Sequence, residues 1–188
     1  MITGHLGIAS AAHRASRAPM SSIPFAALLL ASLTPDVVDA VYWAVGFCSP
    51  YGLYSHTVHA VVLEAAVVGG IALLATGSRT VALTFAIVVL LHMPADYFTG
   101  RKLFTPGGEI FGLRLYERPV VDWVLEVSIA MGGWWLLRRG GRAPRWAVSM
   151  RALVLVVLLQ TTLDAMARPG RRGFKPNACP IVTSPVSP

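Results

Sequence analysis

The chain has 188 residues, of which 55% are hydrophobic and 13% charged, and its mean hydropathy is +0.61. A soluble domain carries about 25% charged residues, so an ordinary soluble fold is excluded and one helical domain integral to a membrane is expected. Sixteen Lys/Arg against nine Asp/Glu leave a net charge of +7. In a soluble protein that balance would suggest nucleic acid. Here the basic residues sit in loops and a tail, where they set topology and meet anionic headgroups. Membrane lipids, and no nucleic acid, are the expected partners.

In chain order, Gly4 to Ala18 is rich in small residues and ends in Arg14 and Arg17. It is too short to cross a bilayer, which takes ~20 apolar residues, and reads as a half-depth or interfacial helix. His13, beside Arg14, reads as an interfacial residue. A competing reading is a signal peptide with Arg14 and Arg17 as its basic part and Ile23–Leu33 as its apolar part. The apolar stretch Pro24–Phe47 is broken by Thr34-Pro35-Asp36-Val37-Val38-Asp39. Pro35 disfavours helix at Thr34 and suits the first turn of a new helix, which predicts two half-helices meeting at an acidic step. Thr57–Thr76 and Thr80–Phe98 are each about one bilayer long and are joined by the tight turn Gly77-Ser78-Arg79. A polar loop, Thr99–Pro119, leads to a third span at Val120–Leu137, a basic loop at Arg138–Arg145, and a fourth span at Ala147–Met166. The expected architecture is all-α: a polytopic helical bundle over 1–167 with about four full spans, N-terminal half-helices and a broken first hairpin. The basic, Pro-rich tail 168–188 reads as disordered. Cys48 and Cys179 form no CxxC pair, and a disulfide between them is left open.

Alternating the spans gathers nearly every His, Asp and Glu at one membrane face. The other face receives Arg14, Arg17, Arg79, Arg138, Arg139, Arg142, Arg145 and Arg151. The positive-inside rule makes that second face cytoplasmic and the polar one extracytoplasmic.

The polar face holds three spaced pairs: Asp36/Asp39, His56/His59 and His92/Asp96, with His5 as a further member. On a helix, residues four apart lie one turn apart on one face, and ionisable residues in a membrane-type helix are costly to bury unless they do something. Imidazole with carboxylate is the ligand set for Zn²⁺, Mn²⁺ or Fe²⁺. Such an ion can bring the pKa of a bound water to ~7. Asp122 and Glu126, also one turn apart, are candidate acceptors behind ligand histidines or partners of nearby basic residues. His59 has the same supporting role or simply packs. Glu64 is a candidate deeper ligand or simply a buried, hydrogen-bonded acid. Arg101 and Lys102 follow the His92/Asp96 helix and are placed to hold a phosphate or other anion. The Trp and Tyr residues lie mostly at span ends, as an aromatic belt does.

Gly4-His5, Leu33-Thr34-Pro35-Asp36-Val37-Val38-Asp39, Ser55-His56-Thr57 and His92-Met93-Pro94-Ala95-Asp96-Tyr97-Phe98-Thr99-Gly100 together resemble the YdjM-type bacterial inner-membrane proteins, described as membrane-bound metal-dependent hydrolases. The pattern is an early His, a Pro-Asp-x-Asp step, a Thr/Ser-His-Ser/Thr step and a His-x-x-x-Asp followed by Thr. The resemblance runs from residue 4 to about 106. The residue types also resemble the zinc sites of phospholipase C-like phosphodiesterases. The resemblance implies His5, Asp36, His56, His92 and Asp96 as metal ligands. The chain departs from it at Asp39, which two valines separate from Asp36.

The resulting expectation is a metal-dependent hydrolase acting on an ester, foremost a phosphoester of a lipid or envelope metabolite. Asp36, His56, His92 and Asp96 are its catalytic and metal-holding core, with Zn²⁺ favoured. A transporter or ion pathway using the same cluster, and a non-catalytic protein with a structural metal, are the alternatives.

Overall fold

A computed structural model describes residues 2–16, 25–47, 50–140 and 143–167. Arg17, Cys48, Arg142, Cys179, the tail 168–188 and part of the possible signal sequence lie outside the described residues. Seven helices are described: α1 Ile2–Ala15, α2 Phe25–Ser32, α3 Thr34–Ala44, α4 Val58–Thr76, α5 Arg79–Thr99, α6 Pro119–Arg139 and α7 Met150–Ala167. A small antiparallel ribbon, β1 Lys102–Leu103 and β2 Ile110–Phe111, lies between α5 and α6.

Among the described residues three helices, α4, α5 and α6, are long and apolar enough to cross a membrane. Their outward faces carry large apolar side chains: Leu63, Ile71 and Leu74 on α4, Leu83, Ile87 and Leu90 on α5, Val120 and Val124 on α6. In water such patches would mark an interface. On three helices of this length they are compatible with a face turned to hydrocarbon, where all backbone bonds must be made internally.

Local sequence sets the turns. Gly77 ends α4 in the left-handed conformation (φ 64°), its N–H bonded to the Leu73 carbonyl at 2.7 Å. Ser78 caps α5, its hydroxyl accepting from the Val81 N–H at 3.4 Å. Two residues thus close the α4–α5 hairpin. The expected break before Pro35 is present: α2 and α3 are separate helices bent by 60° at Leu33.

α1 departs from the interfacial reading. It packs among α2, α5, α6 and α7, and Thr3, Gly4, His5, Gly7, Ala9, Ser10 and His13 are all buried. His13 stands edge-on to Phe25, with ring centroids 5.3 Å apart. The cause is the small-residue face. Gly7 lies against the Ile129–Ala130 backbone of α6, and Gly133 lies against Gly7 itself, so neither has room for a Cβ. Backbones that approach this closely pack well without large side chains, as small-residue helix pairs in membranes do. Glu126 on α6 then receives the unpaired N–H groups at the start of α1, from Thr3 at 3.2 Å and Gly4 at 3.4 Å.

The α1–α6 contact can be measured through adjacent glycines. Gly132→Ala meets nothing within 4 Å and should leave the thermal midpoint in detergent nearly unchanged. Gly133→Ala pushes a methyl into the α1 backbone and should destabilise by about 1–3 kcal/mol. Equal midpoints for the two would contradict the packing described.

Candidate metal centre

His92 and Asp96 lie one turn apart on α5 and are both buried. His56 stands in the loop before α4, its N–H donating to the Gly52 carbonyl at 2.7 Å. Asp36 stands in the first turn of α3, just past the bend. One donor atom from each of the four lies within 4.8 Å of every other. His56 Nε2 is 3.3 Å from His92 Nε2, 3.4 Å from Asp36 Oδ1 and 3.1 Å from Asp96 Oδ2. His92 Nε2 is 3.7 Å from each of the same two carboxylate oxygens. Donors ~2.0–2.2 Å from a tetrahedral ion stand roughly 3.3–3.6 Å apart. The group could therefore hold one divalent metal ion.

Hydrogen bonding behind the ligands says which lone pairs face inward. His92 Nδ1 lies 2.8 Å from the Ser32 carbonyl. A carbonyl only accepts, so Nδ1 carries the proton and Nε2 is left bare. The bend at Leu33 makes this carbonyl available, because the last carbonyls of α2 have no helical partner. His56 Nδ1 lies 2.7 Å from Ser55 Oγ, and that hydroxyl donates to Asp39 Oδ1 at 2.9 Å. Its one proton is committed to Asp39, so His56 Nδ1–H donates to Ser55 and its Nε2 also points inward. Metal-binding histidines are oriented from behind in this way. Burial opposes a charge on His56, but its bonds to Asp36 and Asp96 outweigh that and raise its pKa above the ordinary value. The pocket thus attracts positive charge, as a proton or as an ion.

The other expected residues take distinct positions. His5 is next to the group, not among its four donors. Its Nε2 bonds Asp96 Oδ1 at 3.1 Å and its ring stacks on His92 at 3.6 Å. Asp39, expected as a ligand, stands one hydroxyl behind His56 because Ser55 comes between them. Lys102 reaches the group, its Nζ 3.2 Å from Asp96 Oδ2. Arg101 does not. Its guanidinium lies over the Tyr51 ring, 5.9 Å from the centroid. His59 points outward from α4 and is exposed. Asp122 and Glu126 are buried on α6, but the recorded bonds of Glu126 go to α1 and not to a ligand histidine. Ser32, Ser55 and Gly52 had no role assigned from sequence. Ser55 adjoins His56 and could have been suspected. The Ser32 carbonyl carries no side-chain signal. A Cβ on Gly52, which has φ +71°, would lie 2.7 Å from His56 Cβ.

The His56 and His92 rings thus share one small pocket, with centroids 5.1 Å apart. No protein-family model matches the chain, and no curated protein or solved structure is significantly similar to it.

Removing the hydroxyl behind His56 tests the arrangement. Ser55→Ala should lower affinity for a divalent ion roughly 10–100-fold, measured by calorimetry in detergent, while His59→Ala leaves it unchanged. Equal loss in both variants would contradict the role given to Ser55.

Proposed function

We propose that this protein is a membrane-embedded, metal-dependent hydrolase of the YdjM type, acting on an ester and foremost on a phosphoester of a lipid or envelope metabolite. The observation that carries this reading is the convergence of two imidazole Nε2 lone pairs and two carboxylate oxygens, with a cation beside them. A structural metal site is closed on all sides. Here His56, His92 and Asp96 are almost fully buried, but the side chains of Asp36 and Lys102 are 31% and 18% exposed, which supports a mouth to solvent beside those two side chains. Zn²⁺ is the favoured ion on its donor set, with Mn²⁺ or Fe²⁺ as alternatives.

An ion held there would acidify water to a pKa of ~7 and polarise the ester oxygen. The chain's own groups do the rest. The Lys102 ammonium attracts and orients the anionic substrate as a point charge. Asp36 Oδ2 is buried and has no hydrogen-bond partner among the described residues, so in this reading it is the free carboxylate oxygen that would take a proton from a water admitted to the group. As water adds at phosphorus and the bond to the alcohol breaks, that proton passes to the departing oxygen. His5 and Ser55 hold Asp96 and His56 in place.

In this reading α4, α5, α6 and a fourth crossing (the bent pair α2–α3, or α7) span an inner membrane, with the mouth on the extracytoplasmic side. The excess of arginine in the short loops at the opposite end supports that orientation. One observation favours a second reading, an ion pathway. Glu64 lies on α4 beyond His56, and both its carboxylate oxygens are buried without a hydrogen-bond partner among the described residues. Unpaired acids inside membrane bundles mark ion and proton routes.

Metal analysis of detergent-purified protein separates the readings. Wild type should carry a stoichiometric divalent ion and hydrolyse a chromogenic phosphodiester. His92→Ala should lose both. Metal without hydrolysis would favour a structural site, and no metal in either protein would favour the ion pathway.

A further inference from the structure

The ribbon that brings Lys102 to the metal ligands also builds an apolar cleft beside them. Lys102 and Phe111 are directly opposed across the ribbon, and opposed residues of an antiparallel pair project to the same face. Phe104 follows two residues after Lys102, and its ring is 5.8 Å from that of Phe111. The far wall is the last turn of α5, Tyr97 and Phe98, immediately after Asp96. The Tyr97 ring is 6.3 Å from Phe104. Together with Gly112 and Leu113 these residues line a cleft of about 680 Å³, within the usual ~300–1,000 Å³ of small-molecule sites.

The walls are tied together by backbone. The Leu113 N–H donates to the Tyr97 carbonyl at 2.9 Å, and the Val58 N–H to the Phe104 carbonyl at 3.0 Å. Gly112, at φ +135°, lies so close to the Gly100 carbonyl that a side chain would collide with it. The cleft is therefore preformed. None of its lining residues is charged, yet Lys102, paired across the ribbon with the lining residue Phe111, has its ammonium 3.2 Å from Asp96. It also lies at the end of α5, one of the helices long and apolar enough to cross a membrane, where an interfacial aromatic wall belongs.

We propose that this cleft takes the hydrocarbon chain of a long-chain phosphorylated lipid whose phosphate lies at Lys102 beside the His/Asp group. This rests on the hydrolase reading and narrows its substrate from esters in general to a membrane lipid. The charge pairing is phosphate with ammonium, and the apolar pairing is hydrocarbon with an aromatic wall. A small water-soluble phosphoester matches the first and leaves the second empty.

The test is binding of butyl, octyl, dodecyl and hexadecyl phosphate to the full chain in nanodiscs, after subtracting partition into empty nanodiscs of the same lipid, with metal content and phosphodiester hydrolysis recorded on the same samples. Wild-type affinity should climb with chain length, by up to about fourfold per methylene while the cleft fills. Phe104→Ser and the exposed Leu113→Gln should each pull the long-chain affinities down towards that of butyl phosphate. Lys102→Met should weaken all four phosphates by a similar factor. Wild-type binding that does not depend on chain length, or a slope that survives both cleft substitutions, would overturn the proposal. So would a concentration-dependent dimer that Leu113→Gln dissociates, since a second copy would then be the occupant. A chain-length slope without metal or hydrolysis refutes the enzyme reading but not the cleft. Metal and hydrolysis without a slope refute the cleft alone.

Discussion

Two imidazole nitrogens stand 3.3 Å apart, both bare when the rings are neutral, with two carboxylate oxygens closing the same small volume. Four acceptors in one place repel one another, and His56, His92 and Asp96 are almost wholly removed from solvent. Unpaired ionised groups in an apolar interior cost several kcal/mol each. The arrangement makes physical sense around positive charge, and the chain spends much of its local structure on achieving it. The break at Leu33 brings Asp36 in and frees the carbonyl that orients His92. The left-handed Gly52 lets the loop pass against His56. The Thr57 cap starts α4 one residue after His56, its hydroxyl accepting from the Ala60 N–H.

The scaffold behind the site is held by small residues and buried polar contacts. α1 is ~21 Å long at 1.5 Å per residue, short of the ~30 Å hydrocarbon thickness. It holds its place by lying flush against α6 at Gly7 and Gly133 and by giving its first N–H groups to Glu126. Once fixed there, it sets His5 flat on His92 and against Asp96. An acid without a recorded bond to any proposed ligand therefore matters to them through the helix it anchors. Gln160 on α7 extends the contact, since Thr3 Oγ1 lies 2.9 Å from its Oε1.

Much of the site was legible because the relevant spacings fall inside single elements. His92 and Asp96 are four apart within one helix, so one face carries both. Pro35 announces a helix start, and Asp36 follows in its first turn. His56 and His59 look equivalent on paper, but helical spacing applies only inside a helix. α4 begins at Val58, so His56 lies outside the periodicity that carries His59 outward. Asp39 carries the right chemistry at a plausible offset, and only the fold shows Ser55 interposed. The burial of α1 was illegible for a related reason. A run of Gly, Ala and Ser reads as weakly apolar, and its value as a contact surface depends on a partner helix more than a hundred residues away.

Arg101 and Lys102 show the same limit at a single peptide bond. Both carry positive charge, and both follow the His92/Asp96 helix directly in sequence. Residues adjacent in extended chain project to opposite sides, so a rigid segment can commit only one of them to the pocket. The ribbon register decides which. Pairing Lys102 with Phe111 turns the ammonium towards Asp96 and leaves the guanidinium to Tyr51. The choice has chemical content. A guanidinium would hold a carboxylate in a planar, bidentate grip, whereas an ammonium is a compact charge that can swing on its stem between Asp96 and the phosphate of the proposed substrate. In the proposed reading the site releases its counter-charge as an anion enters, and the second suits that better.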